Sequence, residues 1–405
     1  MPVTRLALPR FRPTGRLLVQ QAALALVVAV LAGSASALFL AVLHHTSHTF
    51  AQHHGLIWAL PAIGFAVAWL YQRWGQAIEG GNNLLLDEIH QPQRVVPLRM
   101  APLILLATWA SHLGGASVGR EGTAVQMGGA LADQLTHVLK LDAHRRRLVL
   151  QMGVAAGFAS VFGTPLAGAV FALEVITRGR LAHEALWPCL VAALAADRVS
   201  AAWGVHHEST LVPLWPADVG HGVPAVLATG LACGVVAWLF ARLAHVGSDH
   251  TRSWLPDARW RAAVGGAVFA AAVWLCDAWA YCGLGTEGIA AALQGQAPAW
   301  GFAAKMLATL WCLVFGFKGG EVTPLFFIGC GLGLALEGPL HMPPGSLSAL
   351  GLVAVFAGAT KTPVACTLLA IELFGASIAW PAALACALAF ACSGQTSIYK
   401  AQRQA

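Results

Sequence analysis

The segment GREGTAVQMGGALADQL, residues 119–135, follows the apolar and small-residue run LILLATWASHLGGASV, residues 103–118, and sets Arg120 beside Glu121 between two glycines. Beyond the acid comes an apolar helical pattern. From Gly122 to Leu135 it would extend roughly 21 Å at 1.5 Å per residue, short of a hydrocarbon core of roughly 30 Å. A helix of that length begins or ends inside the membrane. Its glycine-rich start offers unpaired backbone N–H groups and the positive end of the helix dipole, a combination that attracts anions. Close packing through small residues accounts for MGGALA at residues 127–132. It does not account for a carboxylate at that depth, which is costly and marks a functional position.

The rest of the chain supports a membrane setting. Of 405 residues, 58% are hydrophobic and 10% charged, with a mean hydropathy of +0.67, whereas soluble domains carry about 25% charged residues. Apolar segments recur, among them residues 17–43, 185–203, 223–243, 262–275 and 376–390. They imply about ten to fourteen spanning or broken segments of a polytopic all-α membrane protein. The alternating pattern of a β-barrel is absent.

The net charge of +6 comes largely from Arg5, Arg10, Arg12, Arg16, Arg145–Arg147, Lys400 and Arg403. Their place in short connections follows the positive-inside rule rather than a nucleic-acid surface, and it puts both termini in the cytoplasm. The start mimics a signal peptide, with GSASA at residues 33–37, but apolar residues continue through 39–43, so an uncleaved first helix is expected. Nine cysteines without CxxC spacing read as small buried groups. The stretch HHTSHTFAQHH, residues 44–54, reads as a solvated loop; no metal site is expected there.

The sequence also matches itself. GREGT at residues 119–123 aligns with GGEVT at 319–323, and AAGFASVFGTPLAGAVFALE at 155–174 aligns with VAVFAGATKTPVACTLLAIE at 353–372. Phe158 pairs with Phe356, Thr164-Pro165 with Thr362-Pro363, and Glu174 with Glu372. The expected organisation is one transporter domain: a tail over residues 1–16, a first half over about 17–205 and a second over about 222–405. The second helix start, GGEVTPLFFIGCGLG at 319–333, places Pro324 in its first turn, where no N–H is needed. Two anion-facing helix ends imply one central site. Glu174 and Glu372 are expected to pair with backbone N–H groups or basic residues. Arg120 and Lys318 either raise the local anion concentration or neutralise Glu121 and Glu321.

Taken together, GREGT, KGGEVTP at 318–324, the paired TP…E segments and Tyr399 in SIYKAQR at 397–403 resemble the CLC family of chloride channels and proton-coupled anion antiporters. The resemblance implies an inverted-repeat fold with re-entrant helices meeting at the bilayer midplane. It further implies a homodimer with a pore in each subunit, and Glu121 as a gating glutamate that carries a proton. Where chloride-handling members have a serine, GGNNLLLDEIH at 80–90 has Asn82. Thr123 stands in place of a proline, and Glu321-Val322-Thr323 in place of apolar residues. Val175 occupies the position of the internal proton-transfer glutamate. These departures resemble the fluoride/proton antiporter clade, bacterial exporters that protect against fluoride.

Fluoride is small and tightly hydrated, so its site must replace water with short, strong hydrogen bonds. The candidate donors are the side chains of Asn82, Thr123, Thr323 and Tyr399 and the backbone at Gly122, Val322 and Thr323. Asn83 and Arg120 support them, and Glu321 is the second proton group. The expectation is a fluoride/proton antiporter of a bacterial inner membrane, with no cofactor; a chloride/proton antiporter or passive anion channel is the alternative. An enzyme is not expected, because no HExxH or GxSxG motif accompanies the acids. Six residues follow Tyr399, so no cytosolic regulatory domain is expected. The fifteen Trp residues, with Tyr71 and Tyr281, read as interface anchors and core filling.

Overall fold

Glycine, proline and polar caps divide the apolar runs into sixteen α-helices in the computed structural model, which describes residues 15–207 and 219–404. Most of the expected N-terminal tail, with Arg5, Arg10 and Arg12, lies outside the described residues. The first eight helices are α1 (Gly15–Gln52), α2 (Leu60–Leu70), α3 (Asn82–His90), α4 (Met100–Leu113), α5 (Glu121–Leu139), α6 (Ala143–Phe162), α7 (Pro165–Glu174) and α8 (Leu186–Ala202). Next come α9 (Val219–Trp254), α10 (Ala258–Cys276), α11 (Thr286–Leu293) and α12 (Gly301–Phe315). The last four are α13 (Val322–Glu337), α14 (Ser346–Thr360), α15 (Pro363–Phe374) and α16 (Ala379–Cys392). Four helical stretches, 15–52, 54–90, 183–202 and 222–254, have the length and apolarity of a full span, and seven further apolar helices have 10–17 residues. The fold is all-α and built largely from broken helices, as expected.

Two local expectations are corrected. The helix after Glu121 ends not at Leu135 but at Leu139, where Lys140 turns left-handed as its C-cap; Asp133, within it, is neutralised inside the protein. Arg146 donates to both Asp133 oxygens at 2.8 Å and to Glu88 Oε2 at 2.9 Å. Backbone N–H groups of Gln93 and Val96 complete the two carboxylates, at 2.8 and 2.7 Å. A buried charge cluster is tolerable only when it is satisfied in this way, and this one clasps α3, α5 and α6 together. The histidine stretch is likewise not a loop: α1 continues to Gln52 and carries His44 and His48 on its exposed side. Among the described residues no group of three or more metal-ligating side chains forms.

The matched segments of the two halves interlock. Pro165 and Pro363 open α7 and α15, each after its threonine. Glu174, closing α7, accepts from the backbone N–H of Val364 and Ala365 at 3.1 and 2.8 Å. Glu372, in α15, accepts from Leu166 and Ala167 at 2.9 and 2.8 Å. Each acid thus satisfies the orphan donors at the start of the other half's helix, the backbone pairing anticipated for them.

Helix pairs α5/α6 and α13/α14 cross through glycines. A Cβ on Gly329 would lie 2.1 Å from the Gly351 carbonyl oxygen, and one on Gly351 would lie 2.1 Å from that of Gly329. Backbones that close gain van der Waals contact unobtainable with larger residues. Gly329→Val should therefore destabilise the fold by about 1–3 kcal/mol or more, through overpacking. The check is the unfolding midpoint in detergent, with Gly338→Val, where nothing lies within 4 Å, as a control expected to stay near wild type.

Candidate anion site

GREGT and GGEVT meet edge to edge. The Gly119 and Gly320 backbones exchange hydrogen bonds as an isolated antiparallel bridge, with Gly320 N–H donating to the Gly119 carbonyl at 2.7 Å and Gly119 N–H to that of Gly320. This pairing aligns the starts of α5 and α13. A Cβ on Gly320 would lie 2.7 Å from the Gly122 nitrogen, so the absence of a side chain there leaves the first turn of α5 uncovered.

Glu121 is the first residue of α5 and is 1% exposed. Its carboxylate reaches across the junction to the N-terminus of α13. Oε2 accepts from Thr323 N–H at 3.1 Å and Arg120 N–H at 3.2 Å, while Oε1 accepts from the Thr323 hydroxyl at 2.5 Å and Arg120 Nε at 3.3 Å. The acid of one half therefore sits where the helix dipole and free N–H groups of the other half hold an anion. Of the two roles open to Arg120, the geometry realises pairing with Glu121. Pro324 lies in the first turn of α13 and leaves no N–H unpaired.

The donors gather around the start of α5. Asn82, at the start of α3, points its Nδ2 to within 3.2 Å of a Cβ built on Gly122, and the same position is 3.7 Å from a Glu321 carboxylate oxygen. Asn82 Oδ1 is buried with no partner. Glu321 stands at the N-cap position of α13, and the buried Tyr399 hydroxyl faces its carboxyl group. Asn83 holds the segment that delivers Tyr399: its Oδ1 accepts from Ala401 N–H at 2.9 Å. Val322 and Gly122 bring their backbone to the site as first-turn residues.

Thr123 sits differently from its expected role as a side-chain donor. Its hydroxyl lies 2.7 Å from that of Thr108, which itself donates to the Ile104 carbonyl at 2.8 Å. Thr108 has one proton and has given it away, so the Thr123 proton goes to Thr108. The Thr323 hydroxyl is aimed at the centre; that of Thr123 is turned into the α4 interface. Two residues went unread in the sequence. Gln126, one turn along α5, packs against Gly81 with its amide 3.2 Å from a Cβ built there, and it lines the same cavity as Asn82, Glu321 and Tyr399. Its signal was the four-residue spacing from Gly122. Tyr71, taken as a filler, lines that cavity too.

Residues 63–394 match the model of the voltage-gated chloride channel family. The chain belongs to the CLC family. A CLC relative from Pseudomonas syringae pv. tomato (strain ATCC BAA-871 / DC3000), named a chloride/fluoride channel protein, is 50% identical over 393 residues, covering 94% of this chain and 86% of the relative. The solved structure of a CLC-type fluoride/proton antiporter superposes with a TM-score of 0.94 at 33% identity, covering 97% of this chain and 100% of that one. A slow cyanobacterial Cl⁻/H⁺ antiporter shares the fold at a TM-score of 0.80 and 20% identity, over 94% of this chain and 96% of its own.

The two threonines of this CLC chain separate on test. Thr323→Val removes a donor aimed at the centre and should weaken fluoride binding by about 1.5–3 kcal/mol, roughly tenfold or more. Thr123→Val removes a hydroxyl committed to Thr108 and should leave affinity within about twofold, its effect falling on stability instead. Isothermal titration of each purified variant with fluoride makes the comparison.

Proposed function

We propose that the protein is a fluoride/proton antiporter that exports fluoride across a bacterial inner membrane, driven by inward proton movement. One observation carries the reading: the Glu121 carboxylate occupies the anion-binding end of α13, bonded to Thr323 N–H and hydroxyl. An anion and this carboxylate compete for the same donors. Protonation neutralises Glu121, weakens its hold on a positive helix end and releases those donors to fluoride. Return of the charged carboxylate expels the anion and sheds the proton, and the exchange is antiport because the two leave to opposite sides of the membrane.

Fluoride recognition falls to Asn82, Tyr399 and Thr323, with the Gly122, Thr123 and Val322 backbone. These groups are strong donors suited to a small, hydrated ion. Glu321 is the second proton group, since Val175, at the end of α7, supplies no acid. Arg120 steadies the charged state of Glu121, and Asn83 steadies Tyr399. Residues about 17–205 and 222–405 form the two halves of one transport domain, two copies of which associate as a homodimer with a pore each. The connections that carry Arg145, Arg147 and Lys400 are cytoplasmic, as are both termini. The protein acts without a cofactor and performs no covalent chemistry.

The relative named a chloride/fluoride channel protein and the antiporter structure frame the decisive experiment. In proteoliposomes monitored by fluoride and pH electrodes, fluoride efflux should carry protons inward and exceed chloride efflux at least tenfold. Glu121→Gln should abolish the coupled proton movement. Fluoride flux without proton movement in the wild type would make the protein a channel, and equal chloride and fluoride fluxes would remove the selectivity assigned to Asn82 and Thr323.

A further inference from the structure

Tyr399 stands in a stretch without regular secondary structure. α16 ends at Cys392, and residues 393–402 run as turns and irregular backbone, with no helical ladder to hold them. Ser397, Tyr399 and Gln402 are nevertheless buried. Buried backbone groups have to be paired, and the partners come from the segment itself and from the elements around it. Ile398 N–H donates to the Ala359 carbonyl at 3.0 Å, and Tyr399 N–H to the Ser397 hydroxyl at 3.2 Å. Gln402 N–H donates to the Tyr399 carbonyl at 3.3 Å. Arg178 takes the Gln395 carbonyl and, at 3.4 Å, that of Gln402. The Ser397 carbonyl falls to a side chain of α9: His245, half-buried, meets it with Nε2 at 2.7 Å. A carbonyl can only accept, so Nε2 carries the proton.

We infer that His245 is a positioning residue for the Tyr399 phenol. The peptide unit joining Ser397 to Ile398 is held at both ends, its C=O by His245 and its N–H by Ala359. A peptide unit is planar, so fixing those two atoms fixes the plane from which the next residue, Tyr399, projects. His245 holds the chain two residues before the phenol, and Asn83 holds Ala401 N–H two residues after it. One anchor belongs to α9 in the second half and the other to α3 in the first. Without the imidazole, the Ser397 carbonyl is a buried acceptor that has lost its donor, a cost relieved by rotation of the peptide unit. That rotation turns the phenol away from Glu321. His245 lines the same cavity of about 420 Å³ as Tyr399, yet its role is one of geometry at Nε2 and not of charge. The proposal rests on the reading of Tyr399 as a fluoride donor.

The test is fluoride affinity by isothermal titration of the full-length purified variants. His245→Leu should weaken binding about fivefold, the scale of one lost hydrogen bond. His245→Gln, whose amide nitrogen reaches the place of Nε2, should stay within about twofold of wild type. His245→Asn, whose shorter amide reaches only the place of Nδ1, should behave like His245→Leu. In a Tyr399→Phe background His245→Leu should add no further loss, because residues acting through one another are not additive. Ser397→Ala removes the acceptor of Tyr399 N–H and should weaken binding in the same way, its effect also vanishing beside Tyr399→Phe. It keeps the test open if His245→Leu does not fold. Wild-type affinity in His245→Leu overturns the positioning role. So does a loss that persists undiminished in Tyr399→Phe, which would mean that His245 meets the anion itself or supports the fold at large. A Tyr399→Phe protein that binds fluoride as the wild type does removes the phenol from the site and the proposal with it. Loss in Tyr399→Phe without loss in His245→Leu removes the positioning role alone.

Discussion

The exchange of backbone hydrogen bonds between Gly119 and Gly320 is the constraint on which the rest depends. Two helix starts must face each other in mid-membrane, where unpaired N–H groups cost several kcal/mol if nothing satisfies them. The bridge brings them together at a separation only glycine permits, since a Cβ on Gly119 would lie 2.9 Å from the Gly320 oxygen. What remains is a small space ringed by donors, and a space of that kind demands an anion. The protein supplies its own in Glu121. The reciprocal caps of Glu174 and Glu372 and the glycine crossings of α13 on α14 keep that junction rigid enough for one carboxylate to matter.

The halves are alike in backbone and unlike in side chain, and function lies in the difference. Arg120 and Gly320 occupy equivalent positions. Arg120 pairs with Glu121, whereas Gly320 leaves the start of α5 bare for Asn82 to approach. The clasp of Arg146 with Asp133 and Glu88 holds α3 so that Asn82 arrives there. Tyr399 is delivered from the opposite end of the chain by a segment pinned on Asn83.

Much of this was legible in the sequence because membranes forbid ambiguity. A glutamate after a glycine in an apolar run has few uses, and its repetition at Glu321 pointed to a shared centre. The repeated Glu174 and Glu372 pointed to pairing with backbone N–H groups or basic residues, and the backbone pairing formed. What could not be read was direction. Thr123 and Thr323 stand at matching places, yet one hydroxyl turns to Thr108 and the other to Glu121, a choice made by α4, which packs on one side only. The end of α5 was placed at Leu135, and the helix carries one more turn, to Leu139. The histidines of 44–54 read as a loop because polar residues do, though α1 simply runs on past the apolar core. His245 and Ser397 are far apart in sequence, and no spacing rule connects them.

The central claim is that one carboxylate and one anion contest a single set of donors. Isothermal titration of fluoride in two buffers of different ionisation enthalpy measures it directly. Fluoride binding to the wild type should take up about one proton per anion, with affinity rising as pH falls, and Glu121→Gln should bind fluoride without that uptake. Binding by the wild type with no proton uptake, or undiminished uptake in Glu121→Gln, would contradict the account.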